Sequence, residues 1–128
     1  MGRRVLLVED EINIFEAISF LLSRDGWEVS GHGNGATALD EIARLDPDVL
    51  VLDVMLPGRS GLDILRDLRR QPETADLPVL MLTAKGQSKD RDLAMALGAN
   101  AYLTKPFSNS EMVETLNRVA TGGQKAGT

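Results

Sequence analysis

Four short apolar runs in this chain stop at polar residues that could do chemistry together. Val5-Leu6-Leu7-Val8 stops at Glu9-Asp10, and Val49-Leu50-Val51-Leu52 stops at Asp53. Val79-Leu80-Met81-Leu82 stops at Thr83, and Tyr102-Leu103-Thr104 stops at Lys105-Pro106. If the runs are parallel strands, all these groups line one edge of one sheet, where ligands gather in open α/β folds. Glu9, Asp10 and Asp53 would then crowd one another, and at least one carboxyl pKa should rise. A divalent cation removes that conflict, and an all-oxygen donor set suits Mg²⁺ or Mn²⁺ better than zinc. Asp53 follows the most apolar run, and a carboxylate there can act as a nucleophile toward phosphorus, giving an aspartyl phosphate. The Thr83 hydroxyl and the Lys105 ammonium are suited to phosphoryl oxygens, and Ala84 leaves room for the incoming group. The metal would neutralise charge on the phosphoryl oxygens, which is most of what such a transfer requires. Each acid taken alone is as well explained as a turn residue or a helix cap.

The elements that must position these groups alternate along the chain. Arg4 to Val8 reads as a first strand. Ile14, Phe15, Ile18, Leu21 and Leu22 recur at helical spacing up to a stop at Gly26. Trp27 to Ser30 is a short, weakly patterned strand suited to a sheet edge. Ala38, Leu39, Ile42 and Leu45 make a second helix ended by Pro47, and Asp48 to Asp53 is the second strongly apolar strand. Pro57-Gly58 and Gly61 mark a loop before a helix with Leu62, Leu65 and Leu68 inward, and Arg69-Arg70 reads as its solvated end. Pro78 opens a strand to Thr83, Leu93, Ala94 and Leu97 form a helix face closed by Gly98, and Ala101 to Thr104 is the last strand. Ser108-Asn109-Ser110-Glu111 is a capping box, followed by Val113, Leu116, Val119 and Ala120 on one face. Five strands alternating with five helices imply parallel pairing and right-handed crossovers, a doubly wound α/β sheet. The central runs lack a period of two, as strands covered on both faces should. Residues 1–120 are expected to form the domain, with 121–128, Gly-rich and poor in apolar residues, as a flexible tail or the start of a linker.

Composition narrows the function. A chain of 128 residues, 43% hydrophobic, suits one domain with a sizeable core. A net charge of -5 argues against direct contact with nucleic acid or an anionic membrane surface. There is no cysteine, so disulfides and thiolate metal sites are excluded. No signal peptide is read at the N-terminus, where Arg3-Arg4 lead into a short run that meets acids at once. No apolar run approaches the roughly 18 residues a membrane span needs. His32, the single histidine, is read as having no catalytic role, and Trp27 as packing at the sheet edge.

Jointly, Glu9-Asp10, Asp53 before Met55-Leu56-Pro57 and Gly61, Thr83-Ala84, Gly98-Ala99, and Tyr102 with Lys105-Pro106-Phe107 resemble the receiver domain of bacterial two-component response regulators, over about Arg4 to Ala120. The resemblance implies a flavodoxin-like (βα)5 fold with strand order 2-1-3-4-5 and a cis bond before Pro106. It implies that Asp53 is the phosphoacceptor and that Glu9, Asp10, Asp53 and the backbone carbonyl of Met55 hold Mg²⁺. Glu9 stands where Asp is commoner in the family and would reach the metal through water. Thr83 and Lys105 would bind the phosphoryl group, and Tyr102 would turn inward as Thr83 moves. The implied partners are a histidine kinase or histidine phosphotransfer protein and a downstream protein or effector domain, with a phosphorylation-dependent homodimer as one form of output. The implied location is the cytoplasm. The receiver would be a switch rather than an enzyme, catalysing only its own phosphorylation and dephosphorylation. Ala101 and Thr115 stand where winged-helix transcription regulators often carry an Asp–Arg dimer pair, although Arg91 and Glu111 suit another such bridge.

Two other readings stay open. An aspartyl-nucleophile phosphohydrolase usually needs a second acid two residues on, where this chain has Met55. A flavin or nucleotide module wants a Gly- or Ser/Thr-rich loop after the first strand, where this chain has Glu9-Asp10-Glu11. The chain is also compatible with the receiver part of a DNA-binding regulator.

Overall fold

The computed structural model describes residues 3–84 and 88–125. Five strands form one parallel sheet in the order β2-β1-β3-β4-β5, from β1 (Arg3–Val8), β2 (Trp27–His32), β3 (Val49–Asp53), β4 (Val79–Ala84) and β5 (Ala101–Lys105). Between and after them lie α1 (Ile12–Arg24), α2 (Ala38–Leu45), α3 (Gly61–Arg70), α4 (Ser88–Leu97) and α5 (Asn109–Lys125). The order 2-1-3-4-5 is the expected one. It arises because β1 pairs with both β2 and β3, while β4 and β5 add outward on the far side of β3.

Side chains along each inner strand alternate between two cores. Leu6, Val8, Leu50 and Leu52 face the layer of α2, α3 and α4, where Ile42, Ile64, Leu65, Leu68 and Ala94 meet them. Val5, Leu7, Val49 and Val51 face α1 and α5, against Ile18, Leu22, Met112, Leu116 and Val119. Every residue of β3 is buried. Each such leucine contributes about 1.5–3 kcal/mol of burial, so the strand that ends at Asp53 is held firmly in place.

Helix ends follow local chemistry. Gly26 and Gly98 take φ of 95° and 109° after α1 and α4, and Asp46 takes 48° after α2, as left-handed helix stops require. The Ser108 amide donates to Glu111 Oε1 and the Glu111 amide to Ser108 Oγ, at 2.9 and 3.1 Å, which is the expected capping box.

The structure departs from expectation, or adds to it, at four points. Arg69 is not a solvated helix end. It is half-buried, and it donates to the Gly98 carbonyl at 3.1 and 2.9 Å, to the Thr74 carbonyl at 3.0 Å and to Asn100 Oδ1 at 3.1 Å. Met112, not Val113, is the fully buried residue at the start of α5; spacings of three and four then lead to Thr115, Leu116 and Val119, one helical stripe. α5 continues to Lys125, past the expected end near Ala120, while Ala126 to Thr128 lie outside the described residues. A single 3-10 turn, Gly35–Thr37, precedes α2 and was not expected.

Candidate functional site

The pairings place the ends of β1, β3, β4 and β5 side by side, since Val8 lies level with Leu52, Asp53 with Leu82, and Thr83 with Thr104. The residue after β1 and the last residue of β3 are therefore neighbours. One carboxylate oxygen each of Glu9, Asp10 and Asp53 lies within 4.8 Å of the others. Glu9 and Asp53 are 4% and 3% exposed, so two carboxylates lose most of their water, whereas Asp10 is exposed.

The buried acids are satisfied by few groups. Lys105 Nζ, carried in by β5, donates to Asp53 Oδ2 at 2.9 Å and to Glu9 Oε1 at 3.0 Å. Glu9 Oε2 accepts the Glu11 amide at 3.0 Å, and Asp53 Oδ1 accepts the Met55 amide at 3.2 Å. Burial raises the Glu9 pKa, against the opposing hydrogen bonds from the Glu11 amide and Lys105. Burial alone would lower the Lys105 pKa, but its hydrogen bonds to Asp53 and Glu9 outweigh that and raise it. One ammonium thus serves two carboxylates, with a third at the mouth.

Two backbone features shape the rim. A Cβ on Gly61 would overlap the Asp53 carbonyl, so only glycine lets α3 start so close to the end of β3. Ser60 caps that helix, its Oγ accepting the Leu62 amide at 3.1 Å. The Lys105–Pro106 bond is cis, as the resemblance implied. Thr83 is 1% exposed at the end of β4. Tyr102 lies outside the acidic group, half-buried, its hydroxyl accepting from Arg91 Nη1 at 3.2 Å and its ring 5.2 Å from the Arg91 guanidinium. The Met55 side chain points outward and is 67% exposed, consistent with any contribution from this residue coming through its backbone. Glu9, Asp10, Asp53 and Lys105 are therefore brought together, and Tyr102 stands apart. His32 ends β2, its Nε2 2.7 Å from Thr37 Oγ1.

A doubly wound sheet with an acid cluster, a lysine and a buried threonine at its carboxyl edge defines a class of phosphoacceptor signalling domains. The chain belongs to the response regulator receiver domain family, whose pattern it matches over residues 5–117. It is 40% identical over 119 residues to the phosphate regulon transcriptional regulatory protein PhoB of Escherichia coli, covering 93% of this chain and 52% of that protein. The chain thus spans about half the length of the curated relatives it matches. Among solved structures, the chemotaxis response regulator CheY4 of Vibrio cholerae is 32% identical with a TM-score of 0.86, covering 93% of this chain and 99% of that one. The receiver domain of a sensor histidine kinase of Pseudomonas aeruginosa is 30% identical with a TM-score of 0.85, covering 94% and 99%. That structure has a magnesium ion coordinated in its active-site cleft. The chain is accordingly a receiver domain of phosphorelay signalling, and its family is one of switches.

Sequence reasoning missed two features near the site. Asn34-Gly35 is a recognisable turn signal whose importance depends on what it touches. The Arg91–Tyr102 contact joins residues on separate elements and leaves no local trace.

Proposed function

We propose that Asp53 is the phosphoacceptor of this receiver, taking a phosphoryl group from a histidine kinase or histidine phosphotransfer protein in the cytoplasm. The observation that carries the reading is the Asp53 carboxylate held 2.9 Å from Lys105 Nζ within a three-carboxylate group. The donor set fits a hard divalent cation, since all its ligand atoms are oxygens and one of the three acids is open to solvent. Glu9, Asp10, Asp53 and the Met55 carbonyl would hold Mg²⁺, or Mn²⁺, with Glu9 reaching it through water. When bound, the ion supplies charge neutralisation for the phosphoryl oxygens.

Asp53 Oδ attacks phosphorus, and the bond from phosphorus to the donor's histidine nitrogen breaks. Lys105, freed from the Asp53 carboxylate, pairs with a phosphoryl oxygen. Thr83 turns its hydroxyl to another, vacating space that Tyr102 fills. Water later hydrolyses the acyl phosphate in a reaction the domain itself promotes. Two charge-assisted contacts at about 1.5–3 kcal/mol each are of the size needed to move a switch from about 1:99 to 99:1, roughly 5.5 kcal/mol. The output surface is the face of α4, β5 and α5, where a groove of about 670 Å³ is lined by Met95, Tyr102, Thr104, Glu111 and Arg118. It would engage a downstream protein or effector domain, or a second phosphorylated copy, with no direct nucleic-acid contact. In this reading residues 1–120 are the receiver unit, and residues 121–128, which include the last turn of α5, lead toward a linker.

Incubation with acetyl phosphate and Mg²⁺ is expected to add one acid-labile acyl phosphate at Asp53, seen by intact-mass spectrometry, and Asp53→Asn abolishes it. Modification elsewhere, or none with Mg²⁺ bound, overturns the assignment. Steady turnover of phosphomonoesters would instead favour the phosphohydrolase reading.

A further inference from the structure

The loop after β2 places no side chain in the acidic group, yet it is built against both halves of it. On one side, the Glu9 amide donates to the His32 carbonyl at 3.0 Å. Gly33 lies behind Asp10, an ideal Cβ on it falling 3.7 Å from the Asp10 Cα. On the other side, the Gly35 amide donates to the Pro57 carbonyl at 2.8 Å. Gly35 is buried, and a Cβ there would overlap the Arg59 backbone, its carbonyl oxygen foremost. The fit is reciprocal. Gly58 takes φ +84, and a Cβ on it would lie 2.7 Å from Asn34 Oδ1 and 3.1 Å from the Ala36 nitrogen. Asn34 Oδ1 is itself fixed, accepting the Ala36 amide at 2.7 Å. Backbone therefore meets backbone where Gly35 faces Arg59, and Gly58 faces the Ala36 nitrogen and the Asn34 side chain, which its own hydrogen bond holds in place.

The clamped segment is the one that leaves Asp53. It begins at Asp53 and carries Met55, whose amide donates to Asp53 Oδ1. It ends at Ser60, where α3 is capped. Arg59 also pairs with Asp67 on α3. So the segment is fixed at both ends by its own strand and helix, and in the middle by the Asn34–Gly35 turn.

We propose that Asn34 and Gly35 are positioning residues that set the divalent-cation affinity of the acidic group, by fixing the Pro57–Arg59 loop relative to Glu9 and Asp10. This rests on the metal-binding reading given above. Mg²⁺ tolerates little departure from its preferred geometry, and partners behind the ligands commonly change metal affinity by about 10–100-fold. Gly35→Ala drives a methyl into the Arg59 backbone, and the loop must move away from the β1 acids. Asn34→Ala leaves the Ala36 amide without its partner and loosens the turn without a clash.

Titration calorimetry with Mg²⁺ on the full chain tests this, alongside urea unfolding of each variant. Gly35→Ala is expected to weaken Mg²⁺ about tenfold or more, and Asn34→Ala a few-fold. Leu39→Ala, on α2 and packed in the adjacent core, should lower stability while leaving the Mg²⁺ affinity unchanged. Should Gly35→Ala fail to fold, Asn34→Ala and Leu39→Ala decide the matter. Unchanged affinity in Asn34→Ala and in any folded Gly35→Ala overturns the inference, as does an equal loss in Leu39→Ala. Absence of Mg²⁺ binding by the unmodified chain would instead overturn the metal-binding reading itself.

Discussion

At the rim where the strands begin, three arginines each end on carbonyl oxygens at a helix C-terminus. Arg3 donates to the Asp25 carbonyl after α1 at 3.1 Å, Arg4 to the Leu45 and Asp46 carbonyls after α2, and Arg69 to the Gly98 carbonyl after α4. These are the orphan acceptors and negative dipole ends that every helix leaves. The opposite rim is arranged the other way. There the acids Glu9, Asp10 and Asp53 converge on a single Lys105. One rim sets cations against helix-end carbonyls and holds the layers together; the other leaves negative charge under-neutralised and ready for a cation. Charge at the first rim serves cohesion, and charge at the second serves binding.

The contrast can be broken most severely at Arg69. Arg69→Met removes donors from three acceptors that tie α3 to the ends of α4 and the 71–77 loop, and stability should fall by about 3 kcal/mol in urea unfolding. Magnesium should not restore it. Lys105→Met leaves Glu9 and Asp53 without their shared cation, at about 2 kcal/mol in metal-free buffer. Here Mg²⁺ should recover much of the loss, and a failure to do so would mean that the two rims do not differ as described. For the unmodified chain, Mg²⁺ at ten times its dissociation constant should add about 1.4 kcal/mol; a melting curve insensitive to millimolar Mg²⁺ contradicts this. Asp10 is exposed and has no ion-pair partner among the described residues, so Asp10→Asn should raise the metal-free melting temperature by about 2 °C. Asp53→Asn should raise it less, since that change also gives up a contact with Lys105. Lower melting temperatures for both variants would contradict a strained acid group.

The smallest effect is in pH. Glu9 binds its proton more tightly in the folded chain than in the unfolded one, so its contribution to stability declines as pH rises from about 4.5 through the raised folded value. Glu9→Gln should flatten that stretch of the curve. Lys105 has a raised folded pKa, so its contribution is present below 10.5 and lost as pH rises through the folded value.

Most of the fold was legible because each element carries its own pattern. Apolar runs without a period of two announced strands buried on both faces, and the acids at the ends of two of them announced the site. The hub at Arg69 was not legible. Its partner Gly98 lies 29 positions away, and a helix-terminal arginine looks the same whether it faces water or a neighbouring helix. The Asn34-Gly35 turn could be seen, but not that it seats against Pro57–Arg59.

What the amino-acid order determined by itself was residue type at each strand end, helix stops, and the alternation that makes parallel pairing necessary. Those depend on backbone preferences and on apolar spacing within a few residues. Only tertiary structure decided that Lys105 bridges Glu9 and Asp53, that Asp10 stays open to solvent, and that one loop clamps another beside them. Such contacts depend on the distance between groups far apart in the chain, and that distance exists only once the two cores have closed around the sheet.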